Sequence, residues 1–205
     1  MVKPLLRRGL PASFALIILT CLSGCGTPMN TDNDDGFPQT WDLREPPTRQ
    51  QVGMDEGRKT VFYEINMKEP RKVTFYLPED ITLTIPVYMV SFESAGYESQ
   101  KTSDPTGIDA RTSSMPLEET IELYRSTLKQ LGLDTSKADM FEEQAEEAQE
   151  RKDEAGPTDR TTSPSSARTY DYLKLSVVAV YQPDVDTGLV KLIGVWGDGI
   201  PKSRR

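Results

Sequence analysis

Histidine is absent from all 205 residues, and cysteine occurs only twice, at Cys21 and Cys25. Without imidazole there is no Ser-His-Asp triad, no Cys-His pair and no His-based zinc site. Carboxylate, Ser/Lys or Tyr chemistry and oxygen-ligand calcium sites remain open. Long apolar runs are missing as well. The apolar stretch from Leu10 to Leu22 falls short of the ~20 residues that a bilayer-crossing helix needs, and Pro11, Ser13 and Thr20 interrupt it. Basic residues are the minority charge, 24 Lys+Arg against 32 Asp+Glu. Neither a Gly-rich phosphate loop nor a basic-aromatic stripe occurs, so the sequence offers no cofactor motif and argues against nucleic acid.

What is present begins at the N-terminus. Lys3, Arg7 and Arg8 form a basic n-region, Leu10 to Leu22 an apolar h-region of signal-peptide length, and Leu22-Ser23-Gly24-Cys25 closes it. A branched apolar residue, two small residues and a Cys resemble the lipobox of bacterial lipoproteins, a processing class rather than a fold. The resemblance covers the first 25 residues. It implies cleavage before Cys25 and a thioether from the Cys25 thiol to diacylglycerol, with or without a third chain on its amine. One acyl chain binds a membrane marginally, whereas two or three hold firmly. On this reading Cys21 leaves with residues 1–24 and Cys25 carries lipid, so the mature chain keeps no thiol for a disulfide, a metal or a nucleophile.

Three of the bases and none of the acids fall in residues 1–24, which leaves 21 bases against 32 acids and a mature net charge of about −11. Such a chain repels nucleic acid and an anionic bilayer, so the lipid does the anchoring and the charge favours a domain held off the surface. Residues 25–58 read as the lipidated Cys followed by a flexible polar tether, rich in turn residues such as Asp32 to Gly36 and Glu45-Pro46-Pro47. Phe37, Trp41 and Leu43 are its apolar exceptions and are expected to dock on the domain. A short helix over 48–56 is weakened by Gly53 and Gly57.

From Lys59, alternation predicts strands. Val61, Tyr63, Ile65 and Met67 form one, Glu69 to Lys72 a turn, and Val73, Phe75 and Leu77 a second, giving a hairpin. Ile81, Leu83 and Ile85 start a third, in which Pro86 requires an edge or a break before Val87 to Phe92. Residues 93–114 read as a long polar loop. Leu117, Ile121, Tyr124, Leu128 and Leu131 then fall on one face of a helix over 116–131, opened by Pro116, Glu118 and Glu119 and stopped by Gly132. A second helix runs to about Glu154 with a thin stripe of Ala138, Phe141, Ala145 and Ala148, and is expected to be exposed and frayed. Seven acids between Glu142 and Glu154 read as a solvated face. Residues 156–168 read as a disordered linker. A final hairpin joins Leu173, Leu175, Val177, Ala179 and Tyr181 to a strand over 189–196.

The expected architecture is therefore α+β: an antiparallel sheet of about five strands backed by one main amphipathic helix, with an acidic helix and disordered linker over 137–168 as an insertion. The single domain spans 59–201, followed by a basic tail at 202–205. Length suits one core.

Three motifs carry chemistry on paper. Ser126-Thr127-Leu128-Lys129 fits S-x-x-K, which resembles the nucleophile motif of penicillin-recognising enzymes, and Lys101-Thr102-Ser103 resembles their third motif but stands before it rather than after. Both Ser126 and Lys129 fall on the polar side of the helix. Asp32-x-Asp34-x-Gly36 and Asp184-x-Asp186-x-Gly188 are similar to the opening of a calcium loop, with Gly one position early and no closing Glu; a tight turn explains the later one. Strand aromatics, among them Tyr76, Tyr88, Tyr170, Tyr172 and Trp196, read as cross-strand pairs or as a partner surface. No residue is singled out as catalytic or metal-binding, and Cys25 is the one assigned modification site.

The leading functional expectation is a membrane-anchored extracytoplasmic lipoprotein, a non-enzymatic binding or accessory module that contacts the membrane through lipid on Cys25 and an envelope protein through its domain. An envelope hydrolase using carboxylates or Ser126 and Lys129 is one alternative. A solute-capturing lipoprotein is another, although the chain is about half the size of a two-lobed binding protein.

Overall fold

The computed structural model describes residues 38–53, 62–94 and 104–197. Among these residues eight strands form one sheet, mostly antiparallel, and two α-helices lie in sequence between its fourth and fifth strands. The strands are β1 (Thr40–Asp42), β2 (Phe62–Tyr76), β3 (Thr82–Ser94), β4 (Pro105–Arg111), β5 (Thr161–Thr162), β6 (Ser166–Thr169), β7 (Leu173–Gln182) and β8 (Thr187–Trp196). The helices are α1 (Leu117–Gln130) and α2 (Ser136–Glu150). Strand order is β1-β2-β3-β4-β8-β7, with β5 and β6 both along the outer edge of β7; the β1–β2 pair alone is parallel.

Helix α1 matches its sequence signals. Leu117, Ile121, Tyr124 and Leu128 are buried against the sheet, with Leu131 just beyond. Its end is a Schellman motif: the Leu133 amide donates to the Leu128 carbonyl at 2.9 Å and the Gly132 amide to Lys129 at 3.1 Å, with Gly132 at φ +64°. The hairpin of β7 and β8 also follows the alternation, since Leu173, Leu175, Val177, Ala179 and Tyr181 all face the core.

The sheet is larger than the five expected strands, for three reasons. β4 lies inside the stretch read as a polar loop, because only Ile108 and Ala110 of its seven residues are apolar and inward. β1 lies in the stretch read as tether, where Trp41 and Leu43 are buried in the common core. β5 and β6 replace much of the disordered linker. There Ser163 supports the ladder on both sides, its amide donating to Ala179 O and its hydroxyl accepting from the Ala179 amide, each at 2.9 Å. A Ser/Thr-rich edge strand has no hydrophobic pattern to betray it.

The hairpin expected around Glu69 to Lys72 is instead one fifteen-residue strand, β2, paired with β3 throughout apart from an irregularity between Asn66 and Arg71. Opposite it, the inward set of β3 changes parity from Leu83, Ile85 and Val87 to Val90 and Phe92. Pro70 sits in that bulge, where a missing ladder donor costs little. Trp41 pairs with Phe75, itself opposite Leu83, yet its ring lies 4.8 Å from Phe92, nine residues along β3. A straight strand would separate those positions by about 30 Å, so the β2–β3 ribbon curls over the core. Pro86 lies beyond the end of β4, which pairs only from Met89 onward. The neighbouring edge amide of Thr84 is capped by Gln130 Oε1 of α1 at 3.1 Å.

Helix α2 is less exposed than expected. Ala138, Phe141 and Ala145 are fully buried, and the Phe141 ring meets Tyr124 of α1 edge-on at 5.9 Å. It ends at Glu150 and passes into a 3₁₀ turn at Lys152–Glu154. No described helix is long and apolar enough to cross a membrane.

Candidate functional site

Two parallel rows of polar side chains face each other across the α1–α2 contact. Glu118, Glu122 and Arg125 lie at i, i+4 and i+7 on α1, and Glu142, Glu146 and Gln149 repeat that spacing on α2, so each row forms one stripe. Between them runs an open groove of about 520 Å³ with Pro116, Leu117 and Ile121 in its floor. Asp186, in the turn between β7 and β8, closes one end.

Charge in the groove is unbalanced. Arg125 is held between two carboxylates, its Nη2 donating to Asp139 Oδ1 at 3.0 Å and to Glu142 Oε2 at 2.7 Å. These bonds, to Asp139 first and Glu142 second, raise the guanidinium pKa above its ordinary value. Glu118, Glu122 and Glu146 have no ion-pair partner among the described residues. A partly apolar floor under three uncompensated carboxylates suits a long cationic side chain, which can lay its methylenes on Leu117 and Ile121 and hold its charge at the rim.

The turn that ends the groove is tied into the core. Asp186 adopts φ +53°, and its Oδ1 accepts from the Tyr181 hydroxyl at 2.7 Å and from Gln149 Nε2 at 2.9 Å. These bonds, chiefly the one from Tyr181, hold the Asp186 carboxyl below the usual range, while burial and the same bond push the Tyr181 phenol up. The Asp184-x-Asp186-x-Gly188 motif is thus a left-handed turn after the 3₁₀ segment Pro183–Val185. Among the described residues no cluster of three or more carboxylates is arranged to hold a metal ion.

Elsewhere, Ser126 and Lys129 are exposed on α1 and line neither this groove nor a smaller depression of about 380 Å³ beside Tyr88, Met89, Arg111 and Leu189. Ser126 Oγ accepts a long bond, 3.4 Å, from Gln130. Cys25, the Asp32 motif and Lys101 to Ser103 lie outside the described residues. Of the strand aromatics, Tyr76 and Tyr88 are exposed, whereas Phe92, Tyr170 and Trp196 are buried. From the acidic patch after Glu142, two residues, Glu142 and Glu146, reach the groove. The opposing row on α1 escaped the sequence reading, although its i, i+4, i+7 spacing was available there.

No known protein family matches this chain, and no curated protein or solved structure matches it.

Proposed function

We propose that this protein is a lipid-anchored extracytoplasmic lipoprotein whose α+β domain is a binding module, and that the α1–α2 groove receives a basic segment of an envelope protein. The observation that carries the binding reading is the groove itself, where Glu118, Glu122 and Glu146 have no ion-pair partner among the described residues above a partly apolar floor. Lipidation at Cys25 rests on the lipobox Leu22 to Cys25 and its flanks. Two properties favour binding over hydrolysis: the mature chain has no His, and Ser126 and Lys129 are exposed and line neither the groove nor the smaller depression.

The test couples the two halves. Cys25→Ala moves the protein out of the membrane fraction, whereas a variant still anchored there removes the lipid reading. Cross-linking in intact cells then identifies the partner. Reversing charge with Glu122→Lys and Glu146→Lys abolishes that adduct and leaves the protein in the membrane. An adduct of undiminished yield places the partner elsewhere.

A further inference from the structure

The chain is acidic, but its charge is not spread evenly over the fold. Helices α1 and α2 carry nine carboxylates against three bases. On the opposite side of the sheet, the outward positions of β5 to β8 carry no carboxylate. They present five branched apolar side chains, Val178 and Val180 on β7 and Leu189, Ile193 and Val195 on β8, with Val195 51% exposed. Lys174 and Lys191 are the outward charges on these strands, and their remaining outward positions are small, hydroxylated or amide side chains. On the neighbouring β4 the same face carries Asp109, beside Ile193, ion-paired with Arg111, beside Lys191. Glu93 of β3 lies one strand farther from Val195. Register places Val180 opposite Leu189, Val178 opposite Lys191, Ser176 opposite Ile193 and Lys174 opposite Val195, so the apolar groups form one continuous patch with lysines inside it.

From this asymmetry we infer that the outer face of β7 and β8 rests on the anionic phospholipid surface to which the chain is anchored. The inference rests on the lipoprotein reading above and adds an orientation to it. Two lysines within this apolar patch, with the adjacent Asp109 carboxylate paired to Arg111, complement phosphate headgroups and the acyl boundary beneath them. Net charge does not prevent the approach. A helix is about 10 Å across, so the carboxylates on its far side stand farther from the lipid than the ~8 Å screening length at physiological ionic strength. The anchor permits the contact as well. Cys25 precedes Pro38 by thirteen positions, a reach of at most about 45 Å. In this orientation the acidic groove points away from the bilayer, toward a partner.

The experiment uses the full lipidated chain reconstituted in vesicles of phosphatidylcholine and phosphatidylglycerol. With Cys25 acylated, a single introduced cysteine takes the label alone. A polarity-sensitive fluorophore at Val195→Cys shifts to the blue and is quenched by spin-labelled lipid, while the same label at Met140→Cys, 43% exposed on α2, stays aqueous. Replacing each lysine, Lys174→Gln or Lys191→Gln, weakens the contact about fivefold, with thermal stability unchanged. Equal exposure of both labels overturns the inference. So does a blue shift at Val195→Cys that grows with protein density in the vesicle and that spin-labelled lipid does not quench, which would mean a second copy covers this face. Intact mass separates the two readings: a chain without lipid on Cys25 fails the anchor, and a lipidated chain with an aqueous label at 195 fails the orientation alone.

Discussion

At Gly188 the helix layer lies close against the sheet, and replacing it with Ala is a sharp test of that packing. A Cβ built there would stand 2.7 Å from Thr120 Oγ1, 2.9 Å from Thr120 Cγ2 and 2.9 Å from Val180 O. Ordinary contacts are longer by roughly 0.5–1 Å, and little nearby can yield. The Gly188 amide donates to Met115 O at 2.8 Å and its carbonyl accepts from the Met115 amide at 2.9 Å, while β7 holds its other side through Tyr181. Thr120 is fully buried, with its hydroxyl donating to Pro116 O at 3.0 Å. Overpacking of this kind costs about 1–3 kcal/mol. For a chain of this size a 2 kcal/mol loss lowers Tm by roughly 4–8 °C. Thr120→Ala removes two of the three clashing atoms but leaves the main-chain oxygen, so the double variant recovers part of the loss, with a coupling of about 1 kcal/mol. Guanidinium unfolding of the wild type, both single variants and the double variant measures each corner of the cycle. A Gly188→Ala protein within about 0.5 kcal/mol of wild type would refute the close approach of α1 to β8.

Other perturbations follow from the same contacts. Phe141→Ala opens a cavity beside Tyr124 and costs about 3–5 kcal/mol; if α2 were frayed, its amides would exchange freely and the substitution would be nearly silent. Gly132→Ala forces a Cβ into the left-handed C-terminal stop of α1, 3.2 Å from Arg168 Nη1, and lowers stability by about 1–2 kcal/mol in thermal unfolding. Tyr181→Phe tests the turn by pH. Because the folded Asp186 carboxyl is held low, its stabilising contribution is present above its unfolded value of about 4 and disappears as pH falls through the folded one. The stability gap between wild type and Tyr181→Phe therefore narrows in acid, and a gap independent of pH between 7 and 2 would remove Asp186 from the account.

Legibility from sequence followed hydrophobic contrast. α1 announced itself by five large apolar residues on one stripe and by signals at both ends. β7 did so through five inward residues in strict alternation. β4, β5 and β6 could not, because a strand at an edge or with a polar outer face needs only one or two inward apolar groups, as Ile108 and Ala110 show. The long β2 was split in reading because Glu69-Pro70-Arg71-Lys72 has the chemistry of a turn; in the fold the same residues form a bulge, which also accepts Pro. Helix α2 looked frayed because Ala contributes little to a hydrophobic pattern. Burying Ala138 and Ala145 nevertheless lets the helix sit close enough for Phe141 to reach Tyr124. The groove and the apolar outer face of β7 and β8 depend on which residues the fold sets side by side, and a linear pattern carries that information only in fragments.

Intact mass and N-terminal fragmentation of the mature protein, extracted from membranes, bear most directly on the anchored binding module. An anchored module begins at Cys25, lacks residues 1–24 and carries diacylglycerol on the Cys25 sulfur. A mature chain that starts at another residue, or that begins at an unmodified Cys25, contradicts it.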